Sequence, residues 1–231
     1  MAKMVGFSRP IKLEWLDKVA ELVMLDKEEE TIKAELHEFL SFEIASPTNL
    51  RKTREILLSI WVRCPENIKK IAIKAMKGNK NERLAVHWSL IILAYPVFLD
   101  SAAYMGKVTK LQSTFTATWL KEKLSEIWGE RSTMLESVSR ITNSMRSMGI
   151  LEVVKNGEYK TNSFVIASSE CVEFISMVIL QIADKAYYEI DELPNVPYMF
   201  PFEFELTHEI VYNSTCLNIS NMSGKAVLMA E

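Results

Sequence analysis

Five apolar residues, Met134, Val138, Ile141, Met145 and Met148, recur at steps of four, three, four and three. That rhythm fits an α-helix with one buried stripe and little else. Gly149 follows as a terminator that tolerates positive φ. Residues 150–155 then read as an extended run and Asn156-Gly157 as a tight turn with positive φ at both positions. Residues 158–161 read as the returning strand. Upstream, a polar, Thr-rich stretch after Lys107 leads into another helix carrying Trp119, Leu124 and Ile127, ended by Gly129.

Helix, Gly-ended turn, helix and small hairpin is the order of a winged helix-turn-helix, and residues 107–163 resemble that class. With the apolar stripe facing inward, Ser132, Glu136, Ser139, Arg140, Asn143 and Ser147 fall on the outer side, with Arg146 at its flank. In such modules the second helix enters the major groove of double-stranded DNA. There Arg reads guanine and Asn reads adenine, which makes Arg140 and Asn143 candidate base readers. Arg131, Ser132 and Thr133 stand where a helix N-terminus favours phosphate. Lys155 and Lys160 on the hairpin reach toward the flanking backbone or minor groove. The same residues also admit a purely structural reading. Ser132 or Thr133 then caps the helix, Arg140 pairs with Glu136 one turn earlier, and the lysines belong to a solvated wing.

The remainder is expected to be mainly α: an N-terminal helical bundle (1–106), the winged-helix module with a following helix (107–192), and an irregular tail with short strands (193–231). Only seven Gly and seven Pro in 231 residues favour helices over a many-turned sandwich or barrel. Leu13, Leu16, Ala20, Val23 and Met24 mark one helix, and Ile32, Leu36, Phe39 and Leu40 a second. A third, capped around Pro47-Thr48-Asn49, carries Ile56, Leu57, Ile60 and Trp61 and ends near Cys64. A fourth runs from Pro65 to Gly78-Asn79. Residues 84–93 are apolar nearly all round, which marks an enclosed core helix. His87 within it is expected to be a packed core residue, as are the tryptophans. Residues 171–190 predict a C-terminal helix that closes the module or pairs two subunits. Residues 193–201, with three prolines, are expected to be extended. Two strand-like pieces, 215–220 and 226–229, are candidates to pair.

The net charge of −3 argues against a protein that coats nucleic acid over its whole surface. Its distribution is uneven. Residues 107–160 hold nine Lys or Arg against six Asp or Glu, leaving 18 against 24 elsewhere. Cys64, Cys171 and Cys216 are widely spaced and odd in number, which predicts neither disulfide framework nor zinc site and fits a cytoplasmic protein. The longest mainly apolar run, 88–99, contains Pro96 and is too short for a membrane span. No nucleotide-binding, metalloprotease or hydrolase motif is present, so no catalytic residue, metal or cofactor is expected. Residues 84–151 resemble the small helical, winged-helix-containing BrxA-like proteins of bacterial BREX phage-defence systems. The resemblance implies a non-enzymatic DNA-binding or regulatory accessory factor. The alternative expectation is a protein-protein adaptor in a defence or transcription complex. It would dock through the wing, the helix over 171–190 and the tail around Phe200, Pro201 and Phe202, with a homodimer as a further option.

Overall fold

Short capping signals cut the N-terminal half into helices. In the computed structural model, which describes residues 6–130, 132–222 and 225–229, α1 (Leu13–Met24) and α2 (Glu29–Ser41) lead into α3 (Pro47–Trp61). The cap of α3 is Ser46, one residue before the expected cluster. Its hydroxyl accepts from the Asn49 amide while Pro47 supplies the first turn. Helix α4 (Glu66–Ala75) follows, then α5 (Lys80–Ala94), opened by a capping box between Asn79 and Glu82. The Glu82 carboxylate also accepts from the Ser168 amide at 2.9 Å, so one buried acid closes two distant helix starts.

Two helices, not one, share the apolar run over 88–99. Pro96 cannot continue α5, and α6 (Pro96–Thr109) leaves at a bend of 119°. Among the described residues no single helix is long and apolar enough to cross a membrane. Helix α6 runs through Lys107 and beyond, so the polar Thr-rich stretch begins later. That stretch supplies β1 (Phe115–Thr116) and the Thr116 cap of α7 (Ala117–Trp128). Next come α8 (Ser132–Ser147), β2 (Leu151–Lys155) and β3 (Glu158–Thr161). The three strands form an antiparallel sheet in the order β1-β3-β2, with Phe115 opposite Tyr159 and Leu151 opposite Thr161.

The C-terminal part departs from expectation in four places. Helix α9 (Ser169–Gln181), after the short strand β4 (Phe164–Val165), stops nine residues before the expected end, and β5 (Tyr187–Glu189) follows. It packs on α4 and α5, among the N-terminal helices, instead of closing the 107–163 unit. Residues 190–195 and 197–199 are 3-10 turns, not extended chain, because Pro197 begins a turn as readily as a strand. Beyond β6 (Phe202–Glu203), which pairs in parallel with β4, lies the unforeseen α10 (His208–Asn213). Strands β7 (Ile219–Met222) and β8 (Lys225–Met229) pair antiparallel, and β5 joins them.

A continuous hydrophobic core links these parts, with Trp88 fully buried within it. Its indole N–H donates to the Tyr198 carbonyl at 3.0 Å, and Phe98, Phe200 and Phe202 stand edge-on around it. Pro201 and Phe202, offered above as a docking surface, are buried here, and Phe200 is half-buried. The tail also crosses α6 at Gly106, where a β-carbon would come within 1.9 Å of the Pro197 carbonyl oxygen.

His87 is enclosed as expected. Its Nδ1 accepts from the Trp61 indole at 3.0 Å, which fixes the proton on Nε2, 3.1 Å from the Asp17 carboxylate. Burial lowers the His87 pKa, against the pull of Asp17, while the His87 hydrogen bond holds the Asp17 carboxyl below its ordinary value. Arg83 and Lys80 are the other charges acting on the pair.

Gly106→Ala should therefore lower unfolding free energy by about 3 kcal/mol, measured by chemical denaturation, because the clash is with backbone. A histidine whose folded pKa is depressed favours folding above its unfolded value and opposes it below. The melting temperature should thus be flat near neutral pH and fall as pH drops below the ordinary 6.5. His87→Gln should flatten that part of the pH profile.

Candidate functional site

The best-patterned surface is α8 with its flanking elements, and its geometry follows from two glycines and one threonine. Thr116 accepts from the Trp119 amide at 3.1 Å to start α7, and Gly129, at φ 76°, ends it. Gly149, at φ 77°, ends α8, with the Ile150 amide returning to the Met145 carbonyl at 2.9 Å. Met134, Val138, Ile141, Met145 and Met148 all lie in the core, as their spacing requires. In the hairpin, positive φ occurs at Gly157 but not at Asn156. The register shifts between Val153 and Lys155, so the turn is not the two-position left-handed form expected.

Solvent meets one side of α8. Ser132, Thr133, Glu136, Ser139, Asn143 and Arg146 are exposed, with Leu135 beside them, and Arg140 is half-buried. Arg131 lies outside the described residues. Ser147 is exposed, yet its hydroxyl donates to the Ile11 carbonyl at 3.0 Å. Two serines absent from the expected set explain why. Ser144 accepts from the Ile11 amide at 2.9 Å, and Ser137 donates to the Phe7 carbonyl at 3.1 Å. The segment from Phe7 to Ile11 thus runs as a strap along the flank of α8, held by serines three and seven residues apart. Their spacing places them on one helical face, which is the only trace of the strap in the sequence.

Three cations of this surface are paired with carboxylates among the described residues. Arg140 binds Glu136 one turn earlier, Lys155 meets Glu158 at 2.9 Å, and Lys160 meets Glu152 at 3.0 Å. Arg146 donates to the Asn143 side-chain oxygen at 3.4 Å. The Thr114 hydroxyl first, then Lys155, hold the Glu158 carboxyl below the ordinary carboxylate range, and Glu158 in turn raises the Lys155 pKa. Between α7 and α8 a shallow groove of about 710 Å³ is lined by Glu122, Glu126 and Glu130 as well as Lys121. The face is close to electrically neutral. Such exposed pairs contribute about 0–1 kcal/mol each, so an arriving phosphate displaces them at small cost.

The arrangement offers hydrogen-bond donors, acceptors and exchangeable charges, the equipment of a binding surface. His87 is enclosed and engaged, and burial pushes the Cys64 and Cys171 thiols up to about 11 and about 12, far from reactive thiolate. No group of His, Cys, Asp and Glu among the described residues is placed to hold a metal ion. No protein-family model matches the chain, and no curated protein or solved structure matches it significantly.

Ser144→Ala leaves the buried Ile11 amide without an acceptor, a loss of about 1–3 kcal/mol. Hydrogen exchange should then accelerate at the Ile11 amide while the amides of α5 remain protected.

Proposed function

We propose that residues 96–161 form a winged helix-turn-helix module that binds double-stranded DNA through the outer face of α8 and the β2–β3 hairpin, in a regulatory or accessory protein without catalytic activity. The observation that carries this reading is topological. The order α6, β1, α7, α8, β2, β3, with a sheet ordered β1-β3-β2, leaves α8 uncovered along one side and the hairpin projecting next to it. On this reading Asn143, near the centre of the exposed arc, and Arg140 face base edges. Ser132 and Thr133, with Arg131, serve phosphates at the helix start, and Arg146, Lys155 and Lys160 serve the flanking backbone.

A second reading, a protein-protein adaptor on the same face, draws on the pairing of Arg140, Lys155 and Lys160 and on the glutamates of the α7–α8 groove, both unfavourable to a polyanion. Its other expected contacts are occupied, since most of α9 is buried and Phe202 is packed against Trp88.

Fluorescence anisotropy with a labelled duplex at about 50 mM and about 200 mM salt separates the two readings. DNA binding predicts a steep loss with salt, and a logarithmic slope shallower by about 0.9 for each of Arg146, Lys155 and Lys160 replaced by alanine. Glu136→Gln frees Arg140 and removes a repelling charge, so affinity should rise roughly two- to fivefold with little change in melting temperature. A folded protein that fails to bind at the lower salt excludes the DNA reading and leaves the adaptor.

A further inference from the structure

On the side of the molecule built by β4, β6, α9 and α10 lies an open groove of about 720 Å³. Its floor is apolar: Ile166 and Val172 are buried, Phe204 and Ile210 half-buried, and Val165 is 64% exposed. Beside that floor stand Glu170, Glu173, Glu203, Glu205 and Glu209, and among the described residues no lysine, arginine or histidine lines the groove. Many carboxylates elsewhere meet cations, as Glu43 does Lys12, Glu35 does Lys27, and Glu29 and Glu55 do Arg63. None of the five groove glutamates has such a partner among the described residues. Glu173 and Glu203 accept only from the neutral hydroxyls of Ser214 and Ser163. Glu170 and Glu209 sit in first helical turns, where the helix dipole accounts for an acid. Glu173, Glu203 and Glu205 have no such local reason.

The backbone adds a second element. β4 and β6 form a two-stranded parallel sheet, with the Phe164 and Ile166 amides donating to the Pro201 and Glu203 carbonyls. Each strand therefore keeps one edge unpaired within this sheet, and Val165 stands uncovered on β4. Unpaired edges accept an extended segment, main chain to main chain, and side chains at alternate positions then set the specificity.

We propose that this groove binds an extended, Lys- or Arg-bearing segment of a partner protein, its basic side chains on the five glutamates and its alternate apolar side chains on the floor around Val165 and Phe204. The charge complementarity is one-sided and strong, and it gives the surface a preferred occupant. The site is separate from the α8 face and stands whether or not that face binds DNA.

The test is anisotropy of the full chain with a labelled dodecapeptide of alternating Lys and Val, beside a Glu-Val counterpart. The Lys-Val peptide should bind at low salt and the Glu-Val peptide should not. Glu173→Gln, Glu203→Gln and Glu205→Gln together should weaken binding about tenfold or more. A control triple with the same charge change at the exposed Glu14, Glu28 and Glu38 should weaken it less than threefold. Val165→Ser should also weaken it, because the floor is part of the site. Absence of Lys-Val binding, equal binding of both peptides, equal losses in the two triples, or indifference to Val165→Ser would each overturn the proposal.

Discussion

Helix α5 cannot face water on any long side, and the rest of the structure is arranged around that constraint. Residues from Leu84 to Ile92 are buried without interruption, with Trp88 at their middle. An element of this kind is stable only when neighbours enclose it completely. α3 and α4 cover part of it, α6 folds back after the Pro96 break, and α9 returns from far along the chain. The last opening is filled by the segment around Tyr198, Phe200 and Phe202. Burying a large aromatic of this sort contributes about 1.5–3 kcal/mol, and the hydrogen bond to the Tyr198 carbonyl satisfies the one polar atom the indole brings inside. The tail is therefore part of the core, and the 3-10 turns over 190–199 are the shape that lets it cross α6 at Gly106.

Much of the helical framework was legible because periodicity and punctuation agreed. The rhythm from Met134 to Met148 corresponds to α8, and Gly149 ends it at positive φ. The alternative pairing of Arg140 with Glu136 was also readable, since an i, i+4 ion pair needs no tertiary information. What escaped were features decided by distant partners. Ser137 and Ser144 sit at the edge of the apolar stripe on a helical wheel, where a hydroxyl signals no partner, and only the strap over 7–11 makes them buried anchors. Strand β1 has two residues, too few for any pattern, and exists because β3 offers it an edge. Three prolines in 193–201 suggested extended chain, since proline excludes regular helix and strand alike and says little about which turn replaces them.

Charge is distributed in two contrasting ways. On α8 and the hairpin, opposite charges alternate and cancel locally, which keeps the surface close to neutral while leaving every pair open to exchange. Beside α9 and α10 the carboxylates stand without cations and keep their field. The overall charge of −3 conceals this difference, and so does the excess of Lys and Arg counted over 107–160. A linear count records how many charges a segment owns, and only the folded neighbours show how many remain uncompensated.

The serine-held strap also bears on the order of events during synthesis. Phe7 and Ile11 are made before their partners on α8, which lie 130 and 133 residues further on. At roughly 5–20 residues per second, the strap waits for about 7–27 s on the ribosome before its acceptors and donors exist. During that interval its apolar side chains have Tyr95 and Phe98 as earlier company, the first of them some ninety residues away. The nascent helices must therefore tolerate an undocked strap, and its seating on α8 marks the late joining of the helices that precede α8 to α8 itself.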